Sequence, residues 1–76
     1  MKELLTYIAK NLVDDPESVS VTEVPKEDEL VLELRVAPDD MGKVIGRQGR
    51  IAKEIRTLIK AYGLRENKKV TVEIVD

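Results

Sequence analysis

With 76 residues the chain is read as one domain, 1–76, near the lower size at which a single apolar core folds unaided. It has neither cysteine nor histidine, which excludes a disulfide frame, thiolate metal ligands and the common nucleophile–base pairs of enzymes, so a non-enzyme without metal or cofactor is expected. A net charge of −2 argues against a nucleic-acid partner only until its distribution is read: residues 1–42 carry four cations against eleven anions, and residues 43–60 carry six against one.

The first twelve residues, MKELLTYIAKNL, mix charge and apolar side chains too evenly for a signal peptide, and no apolar run approaches the ~20 residues of a membrane span. A cytoplasmic protein with no membrane partner is expected. Leu4, Leu5, Ile8, Ala9, Leu12 and Val13 repeat at three-and-four spacing and predict a helix over 2–13, ended by Asp14, Asp15 and Pro16. Val19, Val21 and Glu23 then alternate with Ser18, Ser20 and Thr22 as a first strand. Pro25, Lys26, Glu27 and Asp28 predict a polar turn. From Glu29 to Ala37 the alternation is clearest, with Leu30, Leu32, Leu34 and Val36 on one face and Val31, Glu33 and Arg35 on the other, so a hairpin with the preceding strand is expected.

Pro38, Asp39 and Asp40 resemble a helix start, where carboxylates accept from exposed N–H groups, and a short helix over 39–45 follows, with Met41 and Val44 as packing residues. Gly46 stops that helix and Gly49 lies at a restart. Ile51, Ile55, Leu58, Ile59 and Tyr62 then form the apolar stripe of a helix over 50–62, with Gly63 expected as its left-handed cap. Arg65 to Lys69 make a polar connector, and Val70, Val72 and Ile74 alternate with Thr71, Glu73 and Val75 as a last strand. Three strands covered on one side by three helices give a two-layer α+β fold. The opposite sheet face, with Val31, Glu33, Arg35, Thr71, Glu73 and Val75, is expected to meet water or a partner.

The informative motif is the pair Gly46 and Gly49 around Arg47 and Gln48. Without a Cβ, glycine allows a tight bend that a sugar-phosphate chain can approach closely. The spacing does not fit a P-loop, which needs four residues between its glycines and a Lys-Ser or Lys-Thr pair, nor a dinucleotide fingerprint. Lys43, Arg47, Arg50 and Lys53 bring positive charge to the bend.

The run Val44-Ile45-Gly46-Arg47-Gln48-Gly49-Arg50-Ile51-Ala52-Lys53-Glu54-Ile55 resembles the KH signature, in which Ile-Gly-x-x-Gly-x-x-Ile joins two short helices. The element order, helix-strand-strand-helix-helix-strand, is similar to the bacterial type II KH fold. The resemblance covers essentially the whole chain and extends to the small stand-alone bacterial KH proteins. It implies a mixed sheet with one parallel pair of strands, which periodicity does not identify. It also implies single-stranded RNA binding, with Gly46, Arg47, Gln48 and Gly49 clamping the backbone of about four nucleotides. Ile45 and Ile51 match the apolar motif positions, part core and part groove floor, while Lys43, Arg50 and Lys53 flank the backbone path.

An RNA chaperone or post-transcriptional regulator is the function so implied. The resemblance further implies a homodimer, or a heterodimer with a larger KH-containing RNA-binding protein of the Jag type, in a setting of bacterial cell elongation and division. With only Tyr7 and Tyr62 as aromatics, stacking platforms are scarce. Tyr62 is expected in the core, and Arg56 and Lys60 on a solvated helix face stabilised in part by pairing such as Glu54 with neighbouring basic residues. Arg65, Lys68 and Lys69 lie in the connector matching the variable loop of the type II fold. The alternative from another class is a KH-shaped protein-interaction adaptor with little RNA contact, favoured by the acidic first 42 residues.

Overall fold

A computed structural model describes residues 1–75. The elements in chain order are α1 (Lys2–Leu12), β1 (Ser20–Pro25), β2 (Leu30–Arg35), α2 (Met41–Ile45), α3 (Arg50–Arg65) and β3 (Val70–Ile74). This is the expected α+β, type II KH order. Short 3-10 turns occupy Pro16–Ser18, Pro38–Asp40 and Arg47–Gly49. Pro25, expected in the turn, closes β1, where its missing N–H is tolerated because β1 is an edge strand.

The sheet order is β1-β2-β3, with β1 and β2 antiparallel and β2 and β3 parallel, so the mixed sheet has its parallel pair at β2–β3. The register aligns Val21 with Leu34, and Leu32 with Val72, putting their side chains under the helices. Leu5 and Ala9 from α1, Val44 from α2, and Ile55 and Ile59 from α3 complete a core that is aliphatic throughout.

Four local expectations change. Val31 belongs by alternation to the open face yet is only 3% exposed, because it lies on the central strand between Val24 and Thr71. Around it the open face is polar, with Glu33 beside Glu73 across the parallel register and an Arg35–Glu33 ion pair of 3.6 Å. Gly63 is not a left-handed cap. The helix continues through it to Arg65, and a Cβ there would stand 2.8 Å from Val70 Cγ2 and 3.0 Å from the Lys68 carbonyl oxygen. The cap is instead Asn67, with φ 59°, in a Schellman arrangement: Lys68 N–H donates to Gly63 O at 2.8 Å and Asn67 N–H to Leu64 O at 3.1 Å.

Leu58 and Tyr62 leave the core, 51% and 40% exposed, since the stripe on α3 is wider than the layer it covers. Asp40, finally, caps no N–H of its own helix. Its carboxylate is buried and accepts from the Asp15 N–H at 3.0 Å, fastening the segment after α1 to the start of α2.

Candidate nucleic-acid interface

The turn between α2 and α3 is held by its own backbone. Gly46 ends α2 at φ 77° and ψ 175°, a region open essentially to glycine alone. Its N–H donates to Gly42 O at 2.8 Å, and its carbonyl accepts the Gly49 N–H at 3.1 Å. Gln48 and Gly49 both take left-handed conformations, φ 58° and 73°. Arg47 and Gln48 are thereby left exposed at the apex. Arg50 Nη2 donates to Gln48 Oε1 at 3.4 Å, which holds the two side chains over the turn. α3 begins at Arg50 with Gly49 as N-cap and no side-chain cap, so first-turn N–H groups and the positive end of the helix face the same place. Such a surface suits an anion that can approach main chain closely.

Two grooves flank α3. One, of about 370 Å³, runs between α3 and the outer edge of β3 and is lined by Lys53, Arg56, Thr57, Lys60, Lys69, Val70, Thr71 and Val72. Arg56 crosses it, its Nε–H donating to the Val72 carbonyl at 3.3 Å. Arg56 and Lys60 are exposed, as expected of a solvated face, and they also line this groove beside β3; no ion pair joins Glu54 to a basic neighbour among the described residues. Their spacing from Lys53, three and seven residues on, was the signal: it sets all three cations on one helix face. The other groove, about 850 Å³, lies between α1 and α3 and is mainly apolar, with Ile8, Leu12, Ile51, Ile55, Leu58 and Ala61, edged by Arg50, Lys53 and Glu54.

The motif residues thus divide. Gly46, Arg47, Gln48, Gly49 and Arg50 meet at the turn, and Lys53 stands one helical step further, touching both grooves. Ile51 lies against Gly46 and faces the apolar groove, while Ile45 is 37% exposed at the end of α2. Lys43 is drawn aside: its Nζ lies 3.0 Å from Asp14 Oδ2 and 3.6 Å from Asp40 Oδ1. Asp14 first, and then Asp40, raise the Lys43 pKa above its usual range. Burial opposes the charge on Asp40, but backbone N–H donors from Asp15 and Asp14, with Lys43 beside them, outweigh it and hold the carboxyl below the ordinary aspartate range. Tyr7, 69% exposed, lines neither groove.

A three-stranded mixed sheet, three helices on one face and a Gly-x-x-Gly turn joining the last two helices define a KH domain of the type II arrangement. The family described as KhpA/KhpB, KH domain, matches residues 2–74, and the chain belongs to that family. It is 64% identical over 75 residues to the RNA-binding protein KhpA of Clostridium perfringens, covering 99% of this chain and 100% of that protein. To the RNA-binding protein KhpA of Chlamydia trachomatis it is 50% identical over 76 residues, covering 100% of this chain and 97% of the relative. The crystal structure of Aquifex aeolicus Era bound to GDP and AlF4− shares the fold, with a TM-score of 0.64 and 24% identity over 96% of this chain and 28% of that longer one. No helix among the described residues is long and apolar enough to cross a membrane.

Proposed function

We propose that the chain is a cytoplasmic single-stranded RNA-binding protein, an RNA chaperone or post-transcriptional regulator, that grips the RNA backbone at Gly46 to Gly49. The observation that carries this reading is the backbone-held turn, with Arg47, Gln48 and Arg50 at its apex and a cation-lined groove leading away from it. From the turn the strand passes along α3 and β3 beside Lys53, Arg56 and Lys60, about 15 Å of helix from Arg50. That length suits a clamp of about four nucleotides. The sheet's open face, with Glu33 and Glu73 side by side, repels the same polyanion. Relatives of half to two-thirds identity carry the name RNA-binding protein, which supports the assignment.

Binding is dominated by phosphates. Among the aromatics, Tyr7 lines neither groove, and Tyr62 is absent from the cationic one. A four-phosphate footprint gives a slope of log K against log salt of about −3. Arg47→Asp with Gln48→Asp, which keeps both glycines, tests the clamp in a titration of labelled oligoribonucleotide at two salt concentrations. Loss of binding with an intact fold supports the reading, and unchanged binding refutes it.

One short site gives modest affinity, so a second KH domain adds avidity without new contacts. The apolar groove between α1 and α3, with Leu58 protruding beside it, fits a second copy of this chain across a two-fold axis, where Glu54 of one copy can meet Lys53 or Arg50 of the other. A larger Jag-type KH protein would use the same face. The second reading, an adaptor in a complex for cell elongation and division, also draws on this groove. It requires that the Asp pair at 47 and 48 leave RNA binding unaffected.

A further inference from the structure

We propose that Glu29 is a specificity-determining residue that holds Lys69 away from the nucleic-acid path and so shortens the stretch of phosphates the groove can grip. The inference rests on the RNA-binding reading above and concerns the end of the groove farthest from the glycine turn.

The parallel register of β2 and β3 opens with Leu30 opposite Val70, which sets the preceding residues, Glu29 and Lys69, side by side. Their backbones are fixed: Leu30 N–H donates to Lys69 O at 2.9 Å, and Lys26 N–H donates to Glu29 O at 2.7 Å. Lys69 Nζ stands 3.6 Å from Glu29 Oε2, with the carboxylate side chain 26% exposed and the lysine 67%. The better-buried carboxylate is thus an anchor and the lysine head the mobile partner.

Four cations line the α3–β3 groove, and among the described residues only Lys69 is paired with a carboxylate; Lys53, Arg56 and Lys60 are not. Alternation assigns Glu29 and Lys69 to the same sheet face as Val31 and Thr71, the one turned from the helices. The pair therefore draws the ammonium toward β2 and leaves chiefly the stem of Lys69 at the groove. A phosphate reaching this end must compete with Glu29 for the cation. The pair is exposed and easily broken, and since surface pairs are individually weak, the effect of releasing Lys69 is a modest one.

Fluorescein-labelled oligouridines of four and ten nucleotides provide the test, against wild type, Glu29→Gln, Lys69→Gln and the double variant, with thermal unfolding as a check on the fold. Glu29→Gln should tighten the ten-mer about two- to fivefold, steepen its salt slope by roughly 0.7, and leave the four-mer unchanged. In the Lys69→Gln background the same change should have no effect. Equal tightening of both lengths, or tightening that survives Lys69→Gln, would reveal only a general loss of negative charge and overturn the proposal, as would no tightening at all. If wild type binds neither oligomer, or Arg47→Asp with Gln48→Asp binds as wild type does, the RNA reading itself fails and takes this inference with it.

Discussion

Gly46 lies flush against Ile51: a Cβ on residue 46 would stand 2.6 Å from Ile51 Cγ1 and 2.9 Å from its Cβ. Gly49, three residues on, has nothing within 4 Å of the same position. The two motif glycines therefore serve different needs. At Gly46 both backbone geometry and packing exclude a side chain, whereas at Gly49 only the left-handed φ of 73° does. Gly46→Ala should cost about 2–4 kcal/mol, strain and overpacking together, and Gly49→Ala about 1–2 kcal/mol. Urea unfolding of both variants checks this, and equal losses would contradict it.

Gly63 reverses a common expectation. In an exposed helix interior, Gly→Ala stabilises by about 1 kcal/mol. Here the added methyl meets the Lys68 carbonyl at 3.0 Å and Val70 Cγ2 at 2.8 Å, and backbone yields less readily than a side-chain end. Gly63→Ala should therefore be destabilising on balance, by about 1–2 kcal/mol. A rise in Tm would show that β3 can move away from α3 at little cost.

The contrast between these glycines shows what the sequence carries. The alternation from Leu30 to Leu34, the hairpin and the Gly-x-x-Gly turn were legible because each is a local pattern, and the strands and helices fell within a few residues of their expected bounds. Gly63 was not, since a glycine at the end of an apolar stripe reads the same whether it caps the helix or admits a crossing strand. Leu58 and Tyr62 share the stripe's spacing, but only the edges of the neighbouring elements decide where cover ends. Arg56 and Lys60 are solvated as read, but the groove they line was not legible, because it exists only once β3 has become an edge strand beside α3. Lys43 sits beside the motif in sequence, yet its partner Asp14 lies 29 residues earlier in the chain.

Asp40 should leave a mark on acid stability. Its carboxyl is held below the ordinary range in the fold, so its contribution is fully present above the unfolded value of about 3.9 and is lost as pH falls from there through the lower folded value. Asp40→Asn should be less stable than wild type near neutrality, and its stability should fall less steeply below pH ~4. Chemical denaturation across that range measures both. Parallel acid limbs in the two proteins would mean that Asp40 is not a principal source of the dependence.

Leu58 offers a test of pairing that spares the monomer. Being 51% exposed, it contributes little to the core, so Leu58→Glu should change monomer stability by under about 1 kcal/mol. If two copies meet at the α1–α3 groove, the substitution should shift sedimentation toward monomer and weaken RNA avidity without altering the clamp. An unchanged sedimentation profile would move the pairing surface elsewhere.

The path of the RNA is most directly tested by amide chemical-shift mapping during titration with a single-stranded oligoribonucleotide. The shifts should concentrate at residues 46–50 and continue through Lys53, Arg56 and Lys60 to residues 70–72 along the outer edge of β3. Shifts confined to α1, or to the open sheet face around Thr22, Glu33 and Glu73, with the glycine turn unmoved, would contradict the account.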